Sequence, residues 1–173
     1  KKIVIVGVVA GGASVAARAR RLDESAEVIM FEKGPNVSFS NCSLPFFLSR
    51  IVKESGNLVL MSPEQFKKQY NIIAKTSHEV LKVNADKKTV TVKDLTSGKE
   101  FDESYDTLVL SPGASPVMPK AIPGIDRSHV FSVRNVVDIK KIDDYVTEHS
   151  VSDIVVVGGG FIGIEVAENF KLA

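Results

Sequence analysis

The sequence is poor in cysteine, since Cys42 is the only one among 173 residues. A single cysteine cannot form a disulfide within the chain, which is typical of a reducing compartment, and we expect a cytoplasmic protein. The one thiol is then either an inert packed side chain or a reactive group. The sequence around Cys42 is therefore needed to distinguish a packed thiol from a reactive one.

Net charge and long apolar runs are also missing. The 22 Lys and Arg residues nearly balance the 21 Asp and Glu residues, giving a formal charge of +1. This balance provides no general attraction to nucleic acid or to an anionic membrane. The longest apolar runs, such as residues 3–6 and 154–157, are far too short to span a bilayer, and we expect no signal peptide. Neither nucleic acid nor a membrane is an expected partner.

Hydrophobic periodicity predicts an α/β fold. A β-branched run at 2–6 is followed by a glycine turn, a helical pattern at 11–22 and a strand pattern at 27–32. This order predicts a βαβ unit of a parallel sheet. A strand pattern at 152–157 precedes a second glycine turn and another helix. The remaining predicted elements are helices at 62–70 and 136–148, strands at 72–83, 88–95 and 107–110, and a loop passing into a helix at 38–50.

The second glycine turn has the spacing G-x-G-x-x-G, formed by Gly158, Gly160 and Gly163. The first glycine permits the tight turn, the second lets a pyrophosphate approach the backbone, and the third lets the helix pack closely on the strand. The helix N-terminus then offers N–H donors to phosphates. The alternative is a glycine-rich turn that binds nothing.

The first glycine turn is a weaker match. Gly7 and Gly12 hold the outer positions, but Val9 occupies the place of the middle glycine. Glu32 strengthens the prediction because it ends the second strand, where a carboxylate can accept hydrogen bonds from a ribose diol. The alternative for Glu32 is a solvated strand end.

Cys42 lies in a loop that passes into a helix. A thiol at a helix N-terminus is a more reactive nucleophile than an isolated one. For an arbitrary lone cysteine, however, a small packed hydrophobe is the more common role. The histidines at 78, 129 and 149 fall elsewhere, without metal-ligand spacing to Cys42, so no metal site is predicted.

The predicted helix at 11–22 carries a candidate phosphate-binding face. Ser14, Arg18 and Arg21 share this face by spacings of three and four, whereas Arg20 points to another side. Arg binds phosphate in a bidentate manner, but a solvated helix face would have the same composition. Val15, Ala19 and Leu22 share a different, apolar face of the same helix.

Seven segments together resemble a known family: GVVAGGAS (7–14), RRLDE (20–24), FEK (31–33), SFSNCSLP (38–45), HEV (78–80), YDTLVLSPGASP (105–116) and VVGGGFIGIEV (156–166). In this order they resemble the pyridine nucleotide-disulfide oxidoreductases. Within that family they are similar to the single-cysteine branch of coenzyme A-disulfide reductases and coenzyme A-dependent persulfide or polysulfide reductases. Val9 also occurs in that branch, whereas Ser43 stands where Gly or Ala is more common.

The resemblance implies a domain organisation. Residues 1–149 would be the first part of a Rossmann-like FAD-binding domain, a three-layer α/β fold with a parallel sheet and a β-meander or hairpin insertion. Residues 150–173 would begin a second Rossmann domain that binds NADH or NADPH. Family members are much longer, so we expect an amino-terminal part of a protein that dimerises through its carboxy-terminal domain.

The resemblance also implies the site residues. FAD would be bound by Gly7, Gly11, Gly12, Glu32, Lys33, the backbone near Val80, Ser111 and Gly113, and the nicotinamide cofactor by Gly158, Gly160 and Gly163. Coenzyme A would be held by Ser14, Arg18, Arg21, Ser38 and Asn41. Hydride would pass from nicotinamide to flavin, which would reduce a disulfide between Cys42 and a substrate thiol.

Two alternatives to this function stay open. Related single-cysteine enzymes reduce peroxide or oxygen through a cysteine sulfenic acid, but they carry a histidine at the position of Ala10. Alanine cannot assist proton transfer at a sulfenic acid, so thiol-disulfide chemistry is favoured. The other alternative is a non-catalytic flavin- or nucleotide-binding module with a structural cysteine.

Overall fold

A computed structural model describes all 173 residues. The chain forms two compact units. The first unit comprises residues 1–39 and 59–113, and the second comprises residues 40–58 and 114–173. The predicted boundary after residue 149 concerns the domains of the longer protein and stays a prediction.

The first unit contains a four-stranded parallel sheet in the order β3-β2-β1-β7. Its strands are β1 (Lys2–Val6), β2 (Glu27–Phe31), β3 (Ile73–Lys75) and β7 (Thr107–Leu110). In register, Val4 lies opposite Ile29 on one side and Leu108 on the other. The central strand β1 is buried because both faces of the sheet are covered. The predicted βαβ unit is therefore confirmed.

Alternate side chains of β1 enter two different cores. Ile3 and Ile5 pack with α1 (Ala10–Leu22) and α3 (Pro63–Tyr70), whereas Val4 packs with Val90 and Val92 of a second sheet. This alternation follows from the period-two geometry of a strand. The unit thus has three layers, namely helices, parallel sheet and antiparallel sheet, which confirms the predicted fold class.

The antiparallel sheet consists of β4 (His78–Asn84), β5 (Thr89–Asp94) and β6 (Glu100–Ser104), in that order. The predicted strand 72–83 is two strands, because Ser77 adopts a φ of 55° and separates β3 from β4. Strand β6 was not predicted. Phe101 is its only apolar side chain, so the hydrophobic pattern of a strand is absent there.

Helix α1 turns a different face inward from the one its sequence suggests. Gly12, Ala16 and Arg20 are buried, while Val15 and Leu22 are exposed, Leu22 to 70%. Of the apolar face formed by Val15, Ala19 and Leu22, only Ala19 packs against the core. Small residues four positions apart let the helix approach the sheet closely, and that proximity outweighs the larger apolar area of valine and leucine.

The guanidinium of Arg20 bonds four backbone carbonyl oxygens. Its Nε donates to Tyr70 O at 2.8 Å, and its Nη2 donates to Asn71 O at 2.9 Å. Its Nη1 donates to Glu24 O at 2.6 Å and to Asp23 O at 3.4 Å. These carbonyls follow the ends of α1 and α3, where helical partners run out, so Arg20 holds two helix ends together.

We expect Arg20→Ala to lower the free energy of unfolding by about 2–4 kcal/mol, because it leaves several carbonyls without a donor. Arg18→Ala and Arg21→Ala are the matched controls, since both side chains are exposed on the same helix. Each control should change stability by no more than about 0.5 kcal/mol. Urea unfolding of the full-length variants measures the difference. Equal stability of all three would mean that the Arg20 bonds contribute nothing.

The second unit is helical. It contains α2 (Leu44–Leu48), α4 (Val136–Glu148) and α5 (Phe161–Leu172), with α2 packed against both of the others. Two polar links lie at the end of α2. Ser49 Oγ donates to Oδ1 of the buried Asn169 at 2.6 Å, and Arg50 forms an ion pair with Asp143 at 2.8 Å. Side chains on α4 and α5 therefore fix the carboxyl end of α2.

The strand predicted at 152–157 is not formed. This segment is unpaired, and Val155 and Val157 are 87% and 94% exposed. A strand exists through ladder hydrogen bonds to neighbours, and no other strand of these 173 residues pairs with it. Its apolar sequence is that of a buried strand, but the sequence alone supplies no partner.

None of the helices has the length and apolar composition needed to cross a membrane.

Candidate functional site: two glycine turns and a cysteine turn

The first glycine turn is closed by contact between glycines. Gly7 has a φ of +86°, and a Cβ at Gly12 would overlap the Gly7 carbonyl oxygen. A Cβ at Gly7 would overlap the carbonyl oxygen of Ser111, which follows the neighbouring strand β7. Only glycine fits at these two positions: at Gly7 both the backbone angle and the lack of space exclude a side chain, and at Gly12 the lack of space does. The end of β1 and the start of α1 are thereby brought together.

Val9 does not disturb this turn. It is the N-cap of α1 with a φ of −90°, so no positive φ requires a glycine there. The equivalent Gly160 is the N-cap of α5 with a φ of −77°, and a Cβ there would meet no atom of the chain. The middle glycine of the pattern is thus not required by the chain itself. In dinucleotide-binding turns, a glycine at this position usually leaves room for the ligand to approach the backbone.

Glu32 links the end of β2 to the glycine turn. Its Oε2 accepts a hydrogen bond from Val8 N at 3.1 Å, and its Oε1 accepts one from Gly34 N at 2.9 Å. The carboxylate is therefore held at the carboxyl ends of β1 and β2, the edge at which parallel α/β sheets bind ligands. Lys33, next in sequence, is exposed.

Three other predicted cofactor residues lie in the same unit. Ser111 N donates to Val6 O at 2.8 Å, extending the pairing of β1 and β7 to the turn. Gly113 has a φ of 70°, which turns the chain after β7. Val80 packs its side chain against the core shared with Phe31, next to an irregularity between Val80 and Lys82 in β4.

The helices after the two glycine turns lack side-chain caps. Neither α1 nor α5 has a capping side chain, whereas α3 and α4 each carry a full capping box, Ser62 with Gln65 and Asn135 with Asp138. No side chain bonds the first N–H groups of α1 and α5, so these are available to an anion, whereas in α3 and α4 the capping side chain already bonds one of them. This contrast separates the two glycine turns from the starts of α3 and α4, whereas the short helix α2 also lacks a capping side chain.

The second glycine turn repeats the geometry of the first. Gly158 has a φ of +108°, and a Cβ at Gly163 would overlap the Gly158 carbonyl oxygen. Gly12 and Gly163 thus occupy equivalent positions against Gly7 and Gly158. The turn forms even though the preceding segment is unpaired, because the contact is local to residues 158–163.

Cys42 lies in the middle of a 3-10 turn, Asn41–Ser43, that leads directly into α2. Two contacts fix this turn. Ser40 N donates to Leu58 O at 2.8 Å, and the hydroxyls of Ser40 and Ser43 are 2.7 Å apart. The thiol is free and exposed. It is therefore not a packed hydrophobe, and it is open to a reaction partner.

The predicted substrate residues fall into both units. Ser14, Arg18 and Arg21 are exposed on α1, and Asn41 is exposed in the cysteine turn. Ser38, with a φ of 47°, donates its N–H to Val8 O and accepts from Leu60 N, both at 2.9 Å. The backbone of Ser38 is thus fixed against the first glycine turn.

The histidines have local partners. Nδ1 of His78 is 2.7 Å from Thr76 O, and Nδ1 of His149 is 3.0 Å from Tyr145 O. His129 is exposed. The structure contains no group of three or more His, Cys, Asp or Glu side chains able to hold a metal ion.

Arg134 contacts the cysteine turn and was missed in the sequence. Its Nε donates to Ala114 O at 2.7 Å, and its Nη1 donates to Asn41 Oδ1 at 3.3 Å. The available signal was the Arg-Asn-x-x-Asp pattern, which marks Arg134 as the residue just before a capping box. Which side chain such a residue contacts cannot be read from that pattern.

The fold and the two closed glycine turns define an α/β protein of the dinucleotide-binding class. A family model described as pyridine nucleotide-disulphide oxidoreductase matches residues 1–173. The chain belongs to this family.

Named relatives cover the whole chain but are much longer. The chain is 41% identical over 169 residues to the coenzyme A disulfide reductase of Staphylococcus haemolyticus, matching 98% of this chain and 38% of that protein. It is 42% identical over 168 residues to the enzyme of that name from Staphylococcus epidermidis, with 97% and 37% covered. The chain thus spans less than two fifths of these relatives.

Solved structures give the same fold. The reduced CoADR-RHD of Bacillus anthracis has a TM-score of 0.95 and 45% identity, covering 99% of this chain and 31% of that one. The NAD-dependent persulfide reductase of A. fulgidus has a TM-score of 0.93 and 32% identity, covering 99% and 32%. The water-forming NADH oxidase of Lactobacillus brevis has a TM-score of 0.91 and 33% identity, covering 99% and 37%.

Proposed function

We propose that the full-length protein is an FAD- and NAD(P)H-dependent oxidoreductase that reduces coenzyme A disulfide, or a coenzyme A persulfide or polysulfide, through Cys42. The observation that carries this proposal is the exposed thiol of Cys42, fixed in a turn at the start of α2 in a chain with two closed glycine turns. The names of the similar Staphylococcus and A. fulgidus proteins support this choice of substrate.

The residues at the first glycine turn fit an adenine dinucleotide. Gly7 and Gly12 close the turn, the uncapped start of α1 offers N–H donors for phosphate, and Glu32 offers carboxylate oxygens for a ribose diol. The turn with Gly158, Gly160 and Gly163 would hold the nicotinamide cofactor in the same way. When bound, the flavin and nicotinamide supply the hydride transfer and the two electrons that reduce a disulfide.

Cys42 supplies the sulfur chemistry. Its thiolate attacks one sulfur of the substrate disulfide, so that a mixed disulfide with Cys42 forms and the other half of the substrate leaves as a thiolate. The exposed position of Cys42 gives a disulfide access to Sγ. With no second cysteine in these residues, the mixed disulfide cannot be resolved by a neighbouring thiol of this segment.

The test is a comparison of substrates with the full-length enzyme. We expect kcat/KM for coenzyme A disulfide or persulfide to exceed that for hydrogen peroxide or oxygen at least about a hundredfold, because alanine, at the position where the peroxide- and oxygen-reducing relatives carry histidine, has no proton to transfer. Preference for peroxide or oxygen would instead assign the protein to the oxidase-type chemistry of its Lactobacillus brevis relative.

Arg18 and Arg21 test the proposed site for the phosphates of coenzyme A. Replacing either with alanine should raise KM for coenzyme A disulfide about ten- to hundredfold, since a charge-assisted hydrogen bond contributes about 1.5–3 kcal/mol. Flavin reduction by the nicotinamide cofactor should not change. Steady-state kinetics at one fixed ionic strength gives the comparison, because salt screens phosphate contacts.

The control for lost positive charge is Lys87→Ala, on an exposed turn of the antiparallel sheet. Arg20→Ala is not a suitable control, because Arg20 is buried and bonds backbone carbonyls. Equal small increases in KM at Arg18, Arg21 and Lys87 would indicate diffuse charge attraction. The exposed face of α1 would then be a solvated surface that binds no phosphate.

The proposal includes a homodimer and a cytoplasmic location. The single unpaired cysteine is consistent with a reducing compartment. Sedimentation of the full-length protein would test the dimer, which we attribute to residues outside this chain.

A further inference from the structure

We propose that Arg134 is a positioning residue that fixes the side-chain amide of Asn41, so that Nδ2 of Asn41 donates to an acceptor oxygen of the thiol substrate. This inference rests on the proposed function, since it states that Asn41 is the donor in one hydrogen bond to the proposed substrate. The bond from Arg134 Nη1 to Asn41 Oδ1, at 3.3 Å, is the observation that carries it.

Arg134 is itself fixed on two sides. Its backbone N–H donates to Asp138 Oδ2 at 3.1 Å, and Asp138 also closes the capping box with Asn135 at the start of α4. Its Nε donates to Ala114 O at 2.7 Å. With both the backbone and the guanidinium anchored, little rotamer freedom is left to lose when Nη1 bonds Asn41.

The bond determines which way the amide faces. A guanidinium has only donors, so the group of Asn41 that faces Arg134 must be its carbonyl oxygen. The Nδ2 group then points away from Arg134, and it makes no hydrogen bond to another residue of the chain. Asn41 is exposed and directly precedes Cys42 in the same turn. An exposed N–H donor group therefore lies on the residue next to the thiol.

The expected ligand group is an acceptor oxygen, either a phosphate oxygen or an amide carbonyl oxygen of a pantetheine chain. These share the chemistry that Nδ2 recognises. Coenzyme A disulfide carries both groups, whereas pantethine, the disulfide of pantetheine, carries no phosphate. Weakened binding of both disulfides in Asn41→Ala would identify an amide carbonyl. Weakened binding of coenzyme A disulfide alone would identify a phosphate.

A double-mutant cycle in the full-length holoenzyme tests the positioning role. Arg134→Met keeps the length of the side chain but removes its donors, and we expect it to raise KM for coenzyme A disulfide about three- to tenfold. Arg134→Lys should recover part of this loss. In an Asn41→Ala background, Arg134→Met should have no further effect on KM. An undiminished effect there would overturn the proposal, because it would mean that Arg134 acts by general attraction or by stabilising the fold.

Asn41→Asp tests whether residue 41 must donate a hydrogen bond to the substrate. Aspartate keeps an acceptor for Arg134 but presents an oxygen where Nδ2 had been. Calorimetric binding of coenzyme A itself, which involves no turnover, should be at least as weak for Asn41→Asp as for Asn41→Ala. Wild-type affinity in Asn41→Asp would overturn the proposal, since the donor would then not be needed.

A crystallographic comparison separates this inference from the proposed function, because it requires no substrate. In the full-length enzyme the Asn41 side chain should be ordered against Arg134, and in Arg134→Met it should lose its single orientation. If wild-type enzyme shows this order but ignores coenzyme A disulfide, the proposed function fails while the positioning contact stands. If Asn41 keeps its orientation in Arg134→Met, the positioning role is refuted.

Discussion

Cys42→Ser should reduce disulfide turnover by the full-length enzyme at least about 10³-fold, because a serine hydroxyl is a poor nucleophile toward a sulfur–sulfur bond. Serine is close to cysteine in size, and the position is exposed, so folding should not suffer. The flavin should still be reduced by NADH or NADPH. Stopped-flow loss of flavin absorbance measures that half-reaction, and steady-state consumption of nicotinamide with coenzyme A disulfide measures the whole.

Flavin reduction serves as the experimental control for disulfide turnover in this variant. Normal flavin reduction in Cys42→Ser shows that the variant is folded and has its cofactors. Turnover above about a tenth of wild type would place the reactive sulfur elsewhere in the longer protein. Loss of both half-reactions would point to a structural cysteine and favour the non-catalytic alternative.

Gly12→Ala should abolish stable flavin binding. The new Cβ would overlap the Gly7 carbonyl oxygen, a backbone atom that cannot rotate away, so the turn must open or α1 must shift. Overpacking of this kind costs about 1–3 kcal/mol and disturbs the N–H groups proposed to hold phosphate. We expect the purified full-length variant to carry less than about a tenth of the flavin of wild type, measured as the ratio of flavin to protein absorbance.

Two other glycines sharpen this test. A Cβ at Gly56 would meet no atom within 4 Å, so Gly56→Ala should retain flavin. Gly163→Ala overlaps the Gly158 carbonyl oxygen and should retain flavin while losing reduction by the nicotinamide cofactor. Full flavin content in Gly12→Ala would show that this turn does not hold the dinucleotide. Flavin loss in Gly163→Ala would show that the two turns do not have separate ligands.

Side-chain identity was a poor guide to which face of α1 is buried. Valine and leucine at 15 and 22 suggested an apolar inner face, yet Gly12, Ala16 and Arg20 are buried. Transfer energies favour burying the larger side chains, but the small residues Gly12 and Ala16 let the helix approach the sheet closely. Arg20 can be buried only because carbonyls from two separate segments lie within reach of one guanidinium, and the sequence does not show that they meet.

The unpaired segment at 152–157 shows the same limit. Its apolar β-branched sequence is that of a buried strand, but a strand needs a neighbour, and none is provided in these residues. Strand β6 is the converse case. It has only one apolar side chain and is nevertheless a strand, because it completes the ladder along β5.

The sequence by itself determined the features that are local. Three kinds of feature depend on neighbours within a few positions and can be read directly: the glycine spacing at 7–12 and 158–163, the helix after each turn, and the capping residue Ser62. Tertiary structure alone decided which donors meet which acceptors. Arg20 with the carbonyls of Tyr70 and Asn71, Glu32 with Val8 N, and Arg134 with Asn41 join residues 24 to 93 positions apart. Hydrogen bonds depend on distances in space, and only the folded chain sets those distances.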